Sequence, residues 1–231
     1  MAAPFATEQP SLNRAWRAFV DHIPTILLIW LATAVISGLG VMVYLAIALI
    51  GLAISGGNVD TDVSEIVVTL SGVLAQMGQL PFTLLSNLVG VLFVAVPALY
   101  YEQGETITTA EAFSALLRRP LRYLLAGVLF SLSVALGLLL CILPGLAVSL
   151  VMPVYVNRIF TTDVGIVDAL RTSIQSVYSS EKGLTFVGIQ LLVGLLVIVF
   201  TLCSCGVGAL IAVPVATFYI QNAAYHQGVL R

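Results

Sequence analysis

Charge is scarce in this 231-residue chain. Only 9% of its residues are charged and 60% are hydrophobic, with a mean hydropathy of +1.09, whereas an average soluble domain is about a quarter charged. A water-soluble core has no use for that much apolar surface, so the soluble globular class is excluded. Histidine is nearly missing. His22 and His226 fall at span ends, outside any Glu-x-x-His or His-x-x-x-His pattern, and read as interfacial residues rather than ligands. There is no glycine-rich phosphate loop, no G-x-S-x-G and no zinc signature. These absences point away from catalysis and name no catalytic residue, metal or cofactor. Cysteine amounts to Cys141, Cys203 and Cys205. Were their turns adjacent on an oxidising face, they could form a disulfide or a soft-metal site; otherwise they are ordinary small residues.

Charge is scarcest inside the long apolar runs. After Asp21 none occurs until Asp60, and equally clean runs cover 66–101, 123–157 and 183–230, each longer than the roughly 20 residues that cross a 30 Å core. Ion-coupled carriers place acids or bases inside their spans despite an insertion cost of about 2.5–3.5 kcal/mol, and none lies in these runs. That disfavours ion coupling. The polar residues there are amides and hydroxyls: Gln76, Gln79, Asn87, Gln190 and Ser204, with Asn157, Gln221 and Asn222 near span ends. Such groups can line a pathway but more commonly hydrogen-bond between helices.

The first run reads as one overlong helix from 23 to 56, roughly 50 Å long. Pro81 predicts a break in the second run, with 66–80 a lead-in and 82–101 the true span. Leu143-Pro144-Gly145 and Cys203-Ser204-Cys205-Gly206 predict tight hairpins in the last two runs. Six crossings result. Both termini then share a face with loops 102–122 and 158–182, and that face holds Arg14, Arg17, Arg118, Arg119, Arg122, Arg158, Arg171, Lys182 and Arg231. The positive-inside rule makes it cytoplasmic and puts the outer acidic loop, with Asp60, Asp62 and Glu65, outside. That loop reads as a solvated turn ahead of a cation site. The polar first 22 residues lack a signal-peptide core, so the first span is expected to act as an uncleaved signal-anchor.

The cytoplasmic segments read as amphipathic interfacial helices. Residues 11–22 place Leu12, Trp16, Phe19 and Val20 at helical spacing; Thr108 and Glu111 form a capping box before a second helix; a third starts near Asp163 and runs to Val177. Each precedes two spans, and each second span carries a proline followed by aromatics: Pro97, Pro153 and Pro214. The expected fold is therefore all-α, one polytopic membrane domain over 1–231: an interfacial helix (1–22), then repeat one (23–101), repeat two (102–160) and repeat three (161–231).

Ile142-Leu143-Pro144-Gly145-Leu146 with Pro153, and Asp168-Ala169-Leu170-Arg171-Thr172-Ser173, resemble the signature of a superfamily of uncharacterised six-span bacterial and archaeal membrane proteins. It includes the YciC-like inner-membrane proteins and the membrane domain attached to some glycerophosphodiester phosphodiesterases. The resemblance implies a six-helix membrane fold in a bacterial plasma or internal membrane, and no particular reaction.

Arg118, Arg119, Arg122, Arg158 and Arg171 are candidate lipid-headgroup contacts. Eight of the eleven acids share their face, so its net charge is only about +1, and a polybasic lipid or nucleic-acid patch is not supported. Two function classes fit. One is a non-enzymatic scaffold or accessory subunit, embedded in the lipid bilayer, that docks a membrane-protein partner through its overlong first span. The other is a carrier or lipid-handling protein for a neutral or amphipathic substrate.

Overall fold

A computed structural model describes residues 3–56 and 61–230; Asp60 of the acidic loop and Arg231 lie outside the described residues. The protein is 86% helix, with no strand among the described residues. A 3-10 turn at Pro4–Thr7 precedes α1 (Leu12–Asp21), α2 (Ile23–Ser55), α3 (Thr61–Gly90), α4 (Leu92–Gln103), α5 (Thr109–Arg118), α6 (Pro120–Leu140), α7 (Ile142–Ser149), α8 (Met152–Thr161), α9 (Ile166–Tyr178), α10 (Glu181–Cys203) and α11 (Ala209–His226). Among the described residues, five stretches are long and apolar enough to cross a membrane: Ile23–Ser55, Asp62–Gln103, Pro120–Leu140, Ile142–Thr161 and Glu181–Cys203. Helix suits such sequences because each segment satisfies its own backbone groups where lipid offers no partner. The sequence reading expects a sixth crossing at α11. That helix is not among the five, and its last two turns carry Gln221, Asn222, Tyr225 and His226.

Local chemistry sets the helix ends. Ser11 and Ser180 accept hydrogen bonds from the Arg14 and Gly183 amides at 3.2 and 3.0 Å. Thr108 and Glu111 form the reciprocal capping box that opens α5. Gly104 ends α4 at φ 81°, a left-handed conformation that suits glycine.

Prolines end fewer helices than the sequence suggests. α3 runs unbroken through Pro81 to Gly90, and only Val91, itself right-handed helical at φ −61° and ψ −22°, separates it from α4. Losing one hydrogen bond at Pro81 costs less in an apolar setting than exposing the several unpaired groups of a helix end. The α6–α7 turn is likewise at Cys141, whose backbone is extended (φ −174°), while Pro144 sits in the first turn of α7, where no backbone donor is required.

The chain divides into two compact units, Ile29–Gly90 and the combination of Met1–Leu28 with Val91–Arg231. In the first, α2 and α3 pair antiparallel. Ser37 Oγ lies 2.8 Å from Ser86 Oγ; side chains placed at Gly40, Gly78 and Gly51 would crowd Phe82, Ile47 and Ser71 respectively. Small residues allow this approach, and close packing supplies the attraction that the hydrophobic effect cannot supply between helices in lipid.

In the second unit α4, α8 and α11 pack on one another, each carrying one of the three singled-out prolines. Their facing residues are buried, among them Val96, Pro97 and Tyr101 on α4, Val154 and Ile159 on α8, and Pro214 and Phe218 on α11. α6 pairs with α7 and α10 with α11 around this core. α1, α5 and α9 gather at the end where α4, α8 and α11 finish.

Candidate functional site

That end of the three-helix core holds a buried polar and aromatic cluster. Tyr225 donates its hydroxyl proton to Glu102 Oε2 at 3.0 Å and accepts from Asn157 Nδ2 at 3.0 Å, tying α11 to α4 and α8. Gln221 Nε2 donates to the Pro153 carbonyl at 2.9 Å. Asn222 Nδ2 donates to the Ala6 carbonyl at 2.7 Å, and the Ala3 amide donates to Tyr101 O at 2.9 Å. The segment before α1 is thereby woven into the core. Gln190, farther along, donates to Leu150 O at 2.9 Å. These amides are helix-to-helix glue, which in membranes is worth roughly 0.6–2 kcal/mol per bond.

His22 is wholly buried here. Its Nε2 accepts the Ile107 amide proton at 2.9 Å, and its Nδ1 lies 2.6 Å from Ala18 O. A backbone N–H can only donate, so Nε2 must be bare and the imidazole proton sits on Nδ1, donating to Ala18. The rings of Tyr100 and Phe218 pack on it, each at 5.1 Å between centroids. Burial holds His22 below its ordinary pKa, outweighing the Ala18 bond and the Asp21 carboxylate, which raise it. No sequence motif marks this residue. His226, exposed, places Nδ1 2.9 Å from Thr7 O.

The five candidate headgroup arginines separate. Arg118, Arg119 and Arg122 line one cleft of about 190 Å³ between the start of α6 and the end of α8. Arg119 pairs with Asp163, and Arg122 donates to the carbonyls of Thr162 and Val164, each at 2.8 Å. Arg158 instead points to α9, where it donates to Ser176 Oγ at 2.6 Å. Arg171 is exposed on α9, away from the cleft. Asp62 and Glu65 are exposed at the start of α3, on an open groove along that helix. Cys141, Cys203 and Cys205 are exposed and free. No group of three metal-capable side chains occurs among the described residues.

Together these features define an all-helical chain with the composition and helix lengths of a multi-pass integral membrane protein. Compared with protein-family models, curated proteins and solved structures, it finds no match.

Proposed function

We propose that this protein is a non-enzymatic integral membrane scaffold or accessory subunit, and that the α2–α3 hairpin engages a membrane-protein partner. Helix length carries the reading. α2 has 33 residues, roughly 50 Å, and at the steepest usual tilt of about 40° it still reaches roughly 38 Å along the bilayer normal, about 8 Å beyond the hydrocarbon core. The excess remains apolar to its end: Leu49, Leu52 and Ile54 on α2 and Ile66 and Leu70 on α3 are each more than half exposed. Apolar surface that outruns the lipid calls for a protein cover.

The finer architecture belongs to the same proposal. α11 makes the sixth crossing, the termini are cytoplasmic, and the chain contains three repeats. The order of short helix, long helix and proline-bearing helix recurs as α1–α2–α3/α4, α5–α6–α7/α8 and α9–α10–α11, and the three proline helices meet in the core, which supports this reading. The resemblance to YciC-like proteins supports a bacterial plasma or internal membrane.

Gentle purification of the full chain from native membranes tests the scaffold. A stoichiometric protein partner is expected, lost when Leu49 and Leu52 are changed to Asn; a partner-free chain, or a partner indifferent to both changes, refutes it. A second reading, a carrier for a neutral or amphipathic substrate, draws on a pocket of about 230 Å³ between α2 and α3 lined in part by Gln79, Thr83, Ser86 and Asn87. Flux in liposomes by the partner-free chain would favour it.

A further inference from the structure

The cleft at the start of α6 supports an inference that does not depend on the scaffold reading. Over the whole short-helix end, basic and acidic residues nearly cancel. Within the cleft three guanidiniums share about 190 Å³ with one carboxylate, Asp163. Arg122 is held by the Thr162 and Val164 carbonyls, which leaves its buried Nε without a partner. Arg118 forms no ion pair among the described residues.

The cleft continues into an apolar pocket. Tyr123, Ile159 and Phe160 wall both the cleft and a pocket of about 50 Å³ that runs between α6 and α8 beside Gly127, Phe130 and Tyr155. Tyr123 and Phe160 stack at 4.2 Å, a flat wall shared by the two compartments. A cationic mouth above an apolar slot between two spanning helices suits a phosphate that carries hydrocarbon better than a bare ion. We propose that this cleft binds an anionic phospholipid, its phosphate held by Arg118, Arg119 and Arg122 and the first carbons of an acyl chain entering the apolar slot.

The full chain in mild detergent is titrated separately with phosphatidylglycerol, phosphatidylcholine and inorganic phosphate, and retention is read by native mass spectrometry. One phosphatidylglycerol per chain should be retained in preference to phosphatidylcholine. Changing Arg118 and Arg119 together to Gln should weaken binding roughly thirtyfold, while Arg17→Gln, exposed on α1 and outside the cleft, leaves it unchanged. Asp163→Asn removes the competing carboxylate and should tighten binding; a purely structural Arg119–Asp163 pair would give no gain. This variant keeps the test decisive should the double arginine variant fold poorly. Gly127 has open space beside it, so Gly127→Leu should obstruct the slot and lower retention with no change in charge. Displacement of the lipid by millimolar inorganic phosphate, with Gly127→Leu silent, would assign the cleft to free phosphate and overturn the lipid proposal. Equal retention of the two lipids, or equal loss in Arg17→Gln, would overturn the site itself.

Discussion

His22→Phe tests whether one imidazole fastens the α1–α2 junction to the loop before α5. Phenylalanine keeps a ring between Tyr100 and Phe218 but removes both nitrogens, leaving the buried Ile107 amide without its acceptor and Ala18 O without its donor. A hydrogen bond is worth about 1 kcal/mol net, and a stranded buried donor costs about 1–3 kcal/mol, so the variant should lose roughly 2–4 kcal/mol. The pH dependence is the sharper readout. His22 sits below the ordinary histidine value of 6.5 in the folded protein, so between that lowered value and 6.5 the unfolded chain binds the proton and the folded chain does not. Stability therefore rises with pH across that window and is lost as pH falls through it, with a limiting slope of about 1.4 kcal/mol per pH unit. Protonation at Nε2 would also set an N–H against the Ile107 N–H. Denaturant unfolding of the detergent-solubilised protein from pH 7.5 to 4.5, followed by tryptophan fluorescence, measures the slope. An equal slope in wild type and His22→Phe would refute the reasoning, because the acid sensitivity would then belong to other groups.

Cysteines introduced singly at Asp62, Glu105 and Ser180, after the three native cysteines are changed to Ser, should label from outside at 62 and from inside at 105 and 180; a reversal defeats the six-span topology. Ser37→Cys with Ser86→Cys should oxidise to a cross-link, because the two hydroxyls are 2.8 Å apart; failure to cross-link under oxidant contradicts the α2–α3 register. Gly51→Leu drives a side chain into Ser71 and should cost about 1–3 kcal/mol of overpacking, read as a loss of that same cross-link. Tyr225→Phe removes the bonds to Glu102 and Asn157 and should lower stability by about 1–3 kcal/mol, measured by thermal melting in detergent.

What the sequence discloses depends on whether the signal is local. α5 is legible because Thr108 and Glu111 carry its start within four residues, and α1 and α9 show through helical spacing between polar boundaries. Pro81 misleads because a local rule about helix interiors meets an apolar environment in which ending the helix is the worse choice. α1 is instructive in another way: its buried side is Ala15, Ala18 and Phe19, while Leu12, Trp16 and Val20 face out. Apart from Phe19, small residues pack against the protein while three large ones remain exposed, which departs from the soluble expectation. His22 is invisible beforehand because its partner, the Ile107 amide, is a backbone group far along the chain.

The arginines show why counting charge over a face misjudges a site. Arg14 is taken by Glu8 and the Phe5 carbonyl, and Arg158 by Ser176; both fasten one segment of the chain to another. Arg122, held by two carbonyls, and Arg158 each keep one buried nitrogen without a partner, but only Arg122 does so in a cleft with two further arginines. The net charge of about +1 over the whole face averages these situations, although Coulomb attraction at an interface falls off within about a Debye length, roughly 8–10 Å in physiological salt. An anion at the start of α6 is governed by the groups inside that radius. The local balance of three guanidiniums to one carboxylate therefore outweighs the face-wide cancellation, and it makes Asp163 the residue whose removal should raise affinity when removal of a cleft arginine lowers it.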